Sequence, residues 1–242
     1  MTKIKILLKL IFMPLFLKKV KLALKKRKGN FSLDEEINFI FNWEYKLFNL
    51  NPSISIKPMQ KKKEATLFLE EVKKINPRII CEVGSGRGGM LYLFSRIANK
   101  NAQIISIDIP KSYLLKNYLD LKDFLYNNLI KENQTIYPIK ADSHKKETLN
   151  KLKQILNNKK IDLLFIDGDH SYKGVKKDFQ LYSPLVKKNG IIAFHDIVPN
   201  KNDKNNNVYK FWKEIKKEKE NFKEIIENPR QKGMGIGLIY KK

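Results

Sequence analysis

Acidic and histidine side chains gather at two points of the sequence, each at the end of an apolar run. The first run, Ile161–Asp167, continues into Gly168-Asp169-His170, and the second, Gly190–Asp196, ends in Phe194-His195-Asp196. Carboxylates beside imidazoles can move a proton or hold a cation, and clustered acids are costly unless one of these compensates them. The residues that could carry this chemistry are Asp167, Asp169, His170, His195 and Asp196.

Each member of this set also has a simpler interpretation. Asp169 or Ser171 could cap the following helix, and His195 could be a hydrogen-bonded interior residue. For Asp169 alone we favour capping. For the set we favour function, because two of the three histidines in the chain fall there together with three acids.

A glycine-rich segment follows an earlier apolar run, Ile79–Val83. It reads Glu82-Val83-Gly84-Ser85-Gly86-Arg87-Gly88-Gly89, and a further acid, Asp108, closes the next apolar run. Glycines at the end of a strand let a ligand approach the backbone, and a carboxylate at the next strand end can accept hydrogen bonds from ribose hydroxyls. These residues predict a nucleoside site, and they leave both a dinucleotide and S-adenosylmethionine open. A tight turn that binds nothing is the simpler alternative.

The elements that must position these residues alternate from Arg78 onward between short apolar runs and amphipathic segments. The predicted strands are Ile79–Val83, Ala102–Asp108, Thr135–Ile139, Ile161–Asp167, Gly190–Asp196, Phe222–Glu227 and Gly235–Tyr240. Predicted helices cover 88–98, 111–131, 145–157, 172–187 and 208–219. Such alternation is typical of βαβ units and a parallel sheet, in which the carboxyl ends of neighbouring strands meet at one crevice.

The region before Arg78 divides into two parts. Residues 31–76 are predicted to be helical: Ser32 and Glu35 form a capping box that starts a helix reaching about Phe48, and a second helix covers Gln60–Lys74. Residues 1–30 carry ten lysines and arginines and no acid. The remaining domain is 77–242, which holds the predicted nucleoside site.

The basic segment has an apolar stripe at helical spacing that Lys9 and Pro14 interrupt. It is shorter than the ~20 residues that span a bilayer, and no small-residue cleavage site follows it. Residues 1–28 could lie as an amphipathic helix on an anionic membrane surface, or pack on their own domain or on a second subunit of a homo-oligomer. Both interpretations stay open.

Composition sets further bounds. A net charge of +24 could attract nucleic acid, anionic lipid or acidic substrates. For the body of the protein we favour drift in base composition, because lysines are spread along most of the chain. The single cysteine, Cys81, excludes an internal disulfide, predicts a reducing, cytoplasmic setting and is interpreted as a small core residue.

The glycine segment Glu82-x-Gly84-x-Gly86-x-Gly88 resembles the first motif of class I S-adenosylmethionine-dependent methyltransferases, and Asp108 resembles their second. The segment Leu164–Ile197 is similar to methyltransferase family 24 and to the cephalosporin hydroxylase-like and sugar O-methyltransferase proteins. Lys210-Phe211-Trp212 and Gly233-Met234-Gly235-Ile236-Gly237 are similar to theirs as well. The resemblance covers about residues 58–241.

The resemblance implies an α/β, Rossmann-like sheet of seven strands, the last one antiparallel, with an N-terminal helical extension. It implies S-adenosylmethionine as cofactor and an acid near the adenine after the third strand. The implied cofactor-binding residues are Glu82, Gly84, Ser85, Gly86, Gly88, Asp108, Asp142 and Ser143, although Asp142 could simply cap the helix that follows it.

The resemblance further implies a Mg²⁺ site, because metal-assisted members hold the ion with residues after the fourth and fifth strands. By position these are Asp167, His195 and Asp196. The family carries an acid where this chain has His195, a nitrogen ligand that Mg²⁺ disfavours. The site could therefore take Mn²⁺ or Fe²⁺ instead, or hold no metal and leave His195 as a base.

The expected activity is methylation of a hydroxyl on a sugar, a glycan or a small metabolite. The candidate bases are His170 and His195, with Asp167 orienting one of them or binding the cation. The alternatives are an RNA methyltransferase drawn by the basic surface, a nicotinamide-dependent dehydrogenase and a noncatalytic nucleoside-binding protein on the same fold.

Overall fold

The computed structural model describes residues 18, 21–27, 29–43, 45–47, 50–54, 56–109, 126, 128, 130–131, 133–218 and 220–242. Most of the predicted amphipathic segment 1–28, and most of the helix predicted over 111–131, lie outside these residues. Residues 21–26 are helical, with Leu24 buried and Leu22 54% exposed. Within the described ranges, no helix has both the length and the apolar character needed to cross a membrane.

The first long helix, α1 (Leu33–Asn42), begins as the sequence predicted. Ser32 accepts a hydrogen bond from the Glu35 backbone, and the Glu35 carboxylate accepts one from the Ser32 backbone at 2.7 Å, which confirms the capping box. Its predicted end near Phe48 is wrong. Trp43 is extended, and β1 (Tyr45–Leu47) pairs antiparallel with β2 (Leu50–Ile54), so the backbone hydrogen bonds of this stretch go to a hairpin.

Seven strands form one sheet in the order β5-β4-β3-β6-β7-β9-β8. Their bounds are β3 (Ile79–Val83), β4 (Gln103–Asp108), β5 (Thr135–Lys140), β6 (Ile161–Ile166), β7 (Val186–His195), β8 (Phe222–Ile225) and β9 (Ile236–Tyr240). Strands β3 to β7 are parallel to one another, and β9 is antiparallel to both β7 and β8. The predicted seven-stranded α/β sheet with an antiparallel last strand is confirmed. Strand β7 starts four residues earlier than predicted, because Val186 pairs with Ile161.

Helices cover both faces of the sheet. Their bounds are α2 (Lys62–Lys74), α3 (Gly89–Ile97), α4 (Lys146–Leu156), α5 (Tyr172–Tyr182) and α6 (Val208–Glu218), with a short 3₁₀ turn at Ser183–Leu185. Alternate residues of the central strands point to opposite faces: Phe165 packs with Phe68 of α2, and Leu164 lies in the core beneath α4 and α5. Cys81 is fully buried in that second core, which confirms its structural interpretation, and burial raises the pKa of its thiol.

The N-terminal helices share a core with the sheet. Ile37 and Ile40 of α1 lie in the same apolar cluster as Phe94 of α3. A buried acid, Glu36, accepts a hydrogen bond from Tyr92 of α3. The chain that leads from β2 into α2 also lies against the start of α3, where a Cβ on Gly89 would come within 2.4 Å of the Ile56 carbonyl oxygen.

Candidate active site

The glycine segment forms a bend between β3 and α3. Gly84 has a φ of +88°, and a Cβ there would lie 2.1 Å from the carbonyl oxygen of Asp167, so the close approach of the β6 end requires glycine. Gly86 has a φ of +50°, and a Cβ there would meet nothing within 4 Å. Gly88 also has a positive φ and stands at the N-cap of α3. The bend therefore leaves open space directly over Gly86.

Asp108, at the end of β4, holds this bend. Its Oδ2 accepts a hydrogen bond from the Gly86 backbone at 2.9 Å and a longer one from the Ser85 hydroxyl at 3.4 Å. The Ser85 hydroxyl also lies 2.7 Å from that of Ser106. The second predicted motif thus contacts the first, as expected because β3 and β4 are parallel neighbours whose carboxyl ends meet at the same edge of the sheet.

The turn after β5, which carries Asp142 and Ser143, is held by its own hydrogen bonds and by contacts with α5. The Asp142 carboxylate accepts a hydrogen bond from the His144 backbone at 2.8 Å, so it stabilises its own turn rather than capping α4, whose N-cap is Lys145. Tyr182 donates its hydroxyl to the Ser143 carbonyl oxygen. The His144 Nε2 atom lies 3.2 Å from the fully buried carboxylate of Asp178, whose pKa burial raises to about 6.

Asp167 and His195 form an ion pair at the ends of β6 and β7. The His195 Nδ1 atom lies 3.1 Å from Asp167 Oδ1, and the residue is 4% exposed. Burial lowers the pKa of His195, but Asp167 and then Asp196 outweigh it and raise that pKa to about 9. Burial likewise raises the pKa of Asp167, and His195 and His170 bring it down to about 2. The buried Nε2 atom of His195 has no hydrogen-bond partner among the residues that the structure describes.

His170 lies between two carboxylates. Its Nε2 atom is 3.4 Å from Asp167 Oδ1 and its Nδ1 atom 3.4 Å from Asp196 Oδ2, and the hydrogen bond with Asp167 raises the pKa of this imidazole. Asp196 has a φ of +62°, which is unfavourable for a residue other than glycine and typical of functional positions. The side chain of His170 is 38% exposed, so it contacts solvent far more than His195 does.

Two residues that the sequence reasoning missed hold these acids. Gln60 donates its side-chain amide to Asp167 Oδ2 at 2.7 Å, and Asn206 donates to Asp196 Oδ2 at 2.6 Å. Gln60 is separated from Asp167 by 107 positions and belongs to no motif, so nothing in the sequence pointed to it. Asn206 lies in a loop rich in Asn and Lys, where a single amide carried no signal.

The remaining members of the set have structural partners. Ser171 is the N-cap of α5 and accepts a hydrogen bond from the Gly174 backbone at 3.0 Å. The Asp169 carboxylate accepts one from the Ser171 backbone at 2.9 Å. The capping alternative is therefore confirmed for Ser171, and Asp169 stabilises the same turn.

The described residues also contain a group that could hold a cation. Asp167, His170 and Asp196 can each offer one ligand atom, and these atoms lie within 4.8 Å of one another. The imidazole in this group is His170, whereas the sequence reasoning named His195, whose Nδ1 atom faces Asp167. Two carboxylates and one imidazole fit Mn²⁺, Fe²⁺ or Zn²⁺ better than Mg²⁺, which prefers oxygen ligands alone.

One cavity of about 660 Å³ connects the bend with the acid and histidine residues, within the range of small-molecule sites. It reaches from Gly86 and Asp108, past the turn at Ser143, to Asp167 and His195. Of the predicted site residues, those that line this cavity are Glu82, Gly84, Ser85, Gly86, Asp108, Asp142, Ser143, Asp167, His170, His195 and Asp196. Gly88 is not among the lining residues; it is the N-cap of α3.

The sequence of the central region is similar to a known protein family and to one curated protein. Residues 81–197 match the model of methyltransferase family 24, a methyltransferase domain. An uncharacterised protein of Acanthamoeba polyphaga mimivirus is 35% identical over 118 residues, which are 48% of this chain and 49% of that protein. The chain thus spans about half the length of the curated relative that it matches.

Two solved structures are similar over most of the chain. The O-methyltransferase TomG from Streptomyces achromogenes, in complex with S-adenosylmethionine, is 12% identical and has a TM-score of 0.55, with 93% of this chain and 96% of TomG covered. The O-methyltransferase from Bacillus cereus, in complex with S-adenosylhomocysteine, is 13% identical with a TM-score of 0.51, over 92% of this chain and 97% of that one. At this identity the likeness establishes the fold.

The seven-stranded sheet with its antiparallel last strand is the fold of the solved O-methyltransferases to which the chain is similar. Residues 81–197, just under half of the chain, match the model of methyltransferase family 24, and the resemblance noted in the sequence is confirmed for that region.

Proposed function

We propose that the protein is an S-adenosylmethionine-dependent O-methyltransferase whose acceptor is a hydroxyl of a sugar, a glycan or a small metabolite. The observation that carries this proposal is the single cavity that joins the bend at Gly86 and Asp108 to the Asp167–His195 pair. A nucleoside bound at one end would place its reactive group beside the only histidine nitrogen that is buried without a partner in the described part of the chain.

The bend fits the proposed cofactor. The open space over Gly86 gives a ligand access to the backbone, and Asp108 can accept hydrogen bonds from ribose hydroxyls. Ser143 and Asp142 line the cavity on the side where the adenine is expected. When bound, S-adenosylmethionine supplies a methyl group on a sulfonium, which an oxygen nucleophile attacks in line.

His195 is the base that this geometry supports best. A hydroxyl is a weak nucleophile at neutral pH, so its proton must be removed as the O–CH₃ bond forms. Asp167 holds His195 through Nδ1, and Nε2 can take that proton only when the ring is neutral, so with a pKa of about 9 transfer by this route should increase as the pH rises towards 9. The products are a methyl ether, S-adenosylhomocysteine and a protonated His195. Both nitrogens of His170 face carboxylates, so it is the weaker candidate.

A divalent cation would be held by Asp167, His170 and Asp196. At that position it would lower the pKa of a nearby hydroxyl and supply the same help as a base. Gln60 and Asn206 orient the two carboxylates for this role through their side-chain amides.

We retain two proposals on cellular context. The protein would act in the cytoplasm, at the membrane surface if residues 1–28 bind anionic lipid, and it would form a homo-oligomer if those residues bind a second copy. The cytoplasmic setting rests on the single cysteine, and the membrane and homo-oligomer proposals rest on the charge and spacing of residues 1–28.

The experiment combines two measurements. Calorimetry with S-adenosylhomocysteine tests cofactor binding, and incubation of the protein with labelled S-adenosylmethionine and cell extract tests transfer into lipid, glycan, small-molecule and RNA fractions. We expect binding together with label in the glycan or small-molecule fraction. Label in RNA alone would favour the nucleic-acid alternative, and binding with no transfer to any fraction would favour a noncatalytic protein.

Variants assign the roles. His195→Gln and Asp167→Asn should bind S-adenosylhomocysteine as the wild type does and lose transfer by ~100-fold or more, the usual contribution of a general base. Asp34→Asn, an exposed acid on α1, is the control and should change neither. Transfer retained in His195→Gln and lost in His170→Gln would assign the base to His170.

A further inference from the structure

Carboxylates outnumber lysines and arginines along the cavity, and their excess is largest at one end. The end where the acceptor would sit, here called the acceptor end, is lined by four carboxylates and two imidazoles: Asp167, Asp169, Asp196, Asp203, His170 and His195. The other end is lined by Glu82, Asp108 and Asp142 together with Lys57 and Arg87, which are the lysine and arginine among the lining residues in the described part of the chain. Arg87 lies within the glycine bend, and Pro58 next to Lys57 packs against Gly89.

The negative excess does not depend on the protonation of the histidines. Four carboxylates outnumber two imidazoles even if both rings carry a charge. A divalent cation would add two positive charges, but an imidazole that binds a metal is neutral, so the carboxylates again exceed the cations. The acceptor end is therefore negative with or without a metal.

The acceptor end also requires a polar ligand. His195 is 4% exposed, lines the cavity, and has a buried Nε2 atom without a partner in the described part of the chain. A buried polar atom in that state is costly until a ligand satisfies it. Further polar lining comes from the amides of Gln60, Asn200 and Asn206. Hydroxyl groups, which both donate and accept, match this mixture of carboxylate, amide and imidazole.

We propose that the acceptor end selects an uncharged or cationic polyhydroxylated acceptor and excludes phosphorylated and carboxylated ones, RNA among them, despite the net charge of +24 on the chain. This inference rests on the proposed function and specifies its substrate class. The acceptor meets the local field of the carboxylates at the acceptor end, which the net charge of the whole chain does not determine.

The test measures binding of four probes to the protein loaded with S-adenosylhomocysteine, by ligand-observed NMR. The probes are methyl α-glucoside, glucosamine, glucuronate and glucose 6-phosphate, which share a ring and differ in charge. We expect the neutral and cationic probes to bind roughly five- to tenfold more tightly than the two anions. Repulsion of an anionic probe by one excess negative charge several ångströms away is of this size. Anions that bind as tightly as the other probes overturn the proposal, and so does binding of none of the four.

Variants locate the effect. Asp169 and Asp203 are exposed, and one carboxylate oxygen of each accepts a hydrogen bond from a backbone N–H. The side-chain oxygen of asparagine can accept the same hydrogen bond, so each substitution removes the charge and keeps the turn. The double variant Asp169→Asn with Asp203→Asn should reduce the discrimination against anions to roughly twofold. Asp34→Asn is the matched control, an exposed acid on α1, and should leave the discrimination unchanged. An unchanged preference in the double variant contradicts the assignment.

The same titrations separate this inference from the proposed function. If S-adenosylhomocysteine does not bind, the cofactor assignment fails, and the ranking of the four probes can still be measured on the unloaded protein. If S-adenosylhomocysteine binds and the anions rank first, the charge selection fails while the methyltransferase proposal stands.

Discussion

Replacement of Asp108 by asparagine tests the nucleoside site at its most specific contact. In the structure Asp108 Oδ2 accepts the Gly86 backbone N–H at 2.9 Å, and an asparagine carbonyl oxygen can take over that hydrogen bond. The bend should therefore keep its shape. What is lost is a charged acceptor for the ribose, because the amide presents an N–H₂ group in its place.

The magnitude follows from the hydrogen bonds involved. A hydrogen bond to a charged group contributes about 1.5–3 kcal/mol, so losing one weakens binding by roughly 10- to 150-fold. Calorimetry with S-adenosylhomocysteine measures this directly. Asp203→Asn, at the acceptor end of the same cavity, is the control and should leave cofactor affinity within about twofold. An Asp108→Asn variant that binds as tightly as the wild type would refute the ribose assignment.

Three further predictions concern stability and pH. Gly84→Ala should lower the free energy of unfolding by ~3 kcal/mol or more, because its Cβ would lie 2.1 Å from a backbone oxygen, whereas Gly86→Ala should lower it by about 1 kcal/mol and mainly weaken cofactor binding. Urea unfolding measures the first effect and calorimetry the second, and equal destabilisation by the two variants would contradict the close approach of Asp167 to Gly84. The ion pair between His195 and Asp167 should make stability depend on pH: the His195 pKa of about 9 lies above the value of about 6.5 in the unfolded chain, so its contribution is complete below pH 6.5 and lost as pH rises through 9. The Asp167 pKa of about 2 lies below the unfolded value, so its contribution is lost as pH falls through 2. The difference in free energy of unfolding between wild type and His195→Gln should therefore narrow from pH 6 to pH 9.5, and a constant difference would count against the ion pair. Glu71 accepts hydrogen bonds from two lysines that lower its pKa to about 2, so its contribution to stability is present above pH 4.5 and lost towards pH 2. In urea unfolding, Glu71→Gln should be less stable than the wild type at pH 6 and equally stable at pH 2.

Much of the fold was predictable because a parallel sheet with both faces covered has a simple sequence pattern. Strand β6 is buried at every position, as strands between two helical layers are, and its bounds matched the apolar run to within one residue. The end of α1 was not predictable in this way. Trp43 and the apolar residues after it fit a helix as well as a strand, and the pairing of Tyr45 with Ile54 decides the outcome.

The site was predictable as far as strand ends determine it. Asp108, Asp167 and His195 come together because their strands are neighbours in the sheet or close to it. Their hydrogen bonds were not predictable. The contact of Gln60 with Asp167 depends on how the chain before α2 crosses the start of α3, and periodicity carries no information on such a crossing.

The choice between the histidines also depended on tertiary structure. His170 and His195 have the same chemistry in the sequence, and each lies at the carboxyl end of a strand, His170 after β6 and His195 as the last residue of β7. The structure buries His195 and leaves one of its nitrogens without a partner in the described part of the chain, whereas His170 contacts a carboxylate through each nitrogen. Burial and the direction of a ring are properties of packing, which a single sequence does not reveal.

The central claim is that a nucleoside lies over the Gly86 bend and presents its sulfur to His195. A crystal structure of the complex with S-adenosylhomocysteine tests this most directly. We expect both ribose hydroxyls on Asp108 and the sulfur atom on the side of the cavity that His195 Nε2 faces. A complex with the ligand elsewhere, or with Asp108 away from the ribose, would contradict the account.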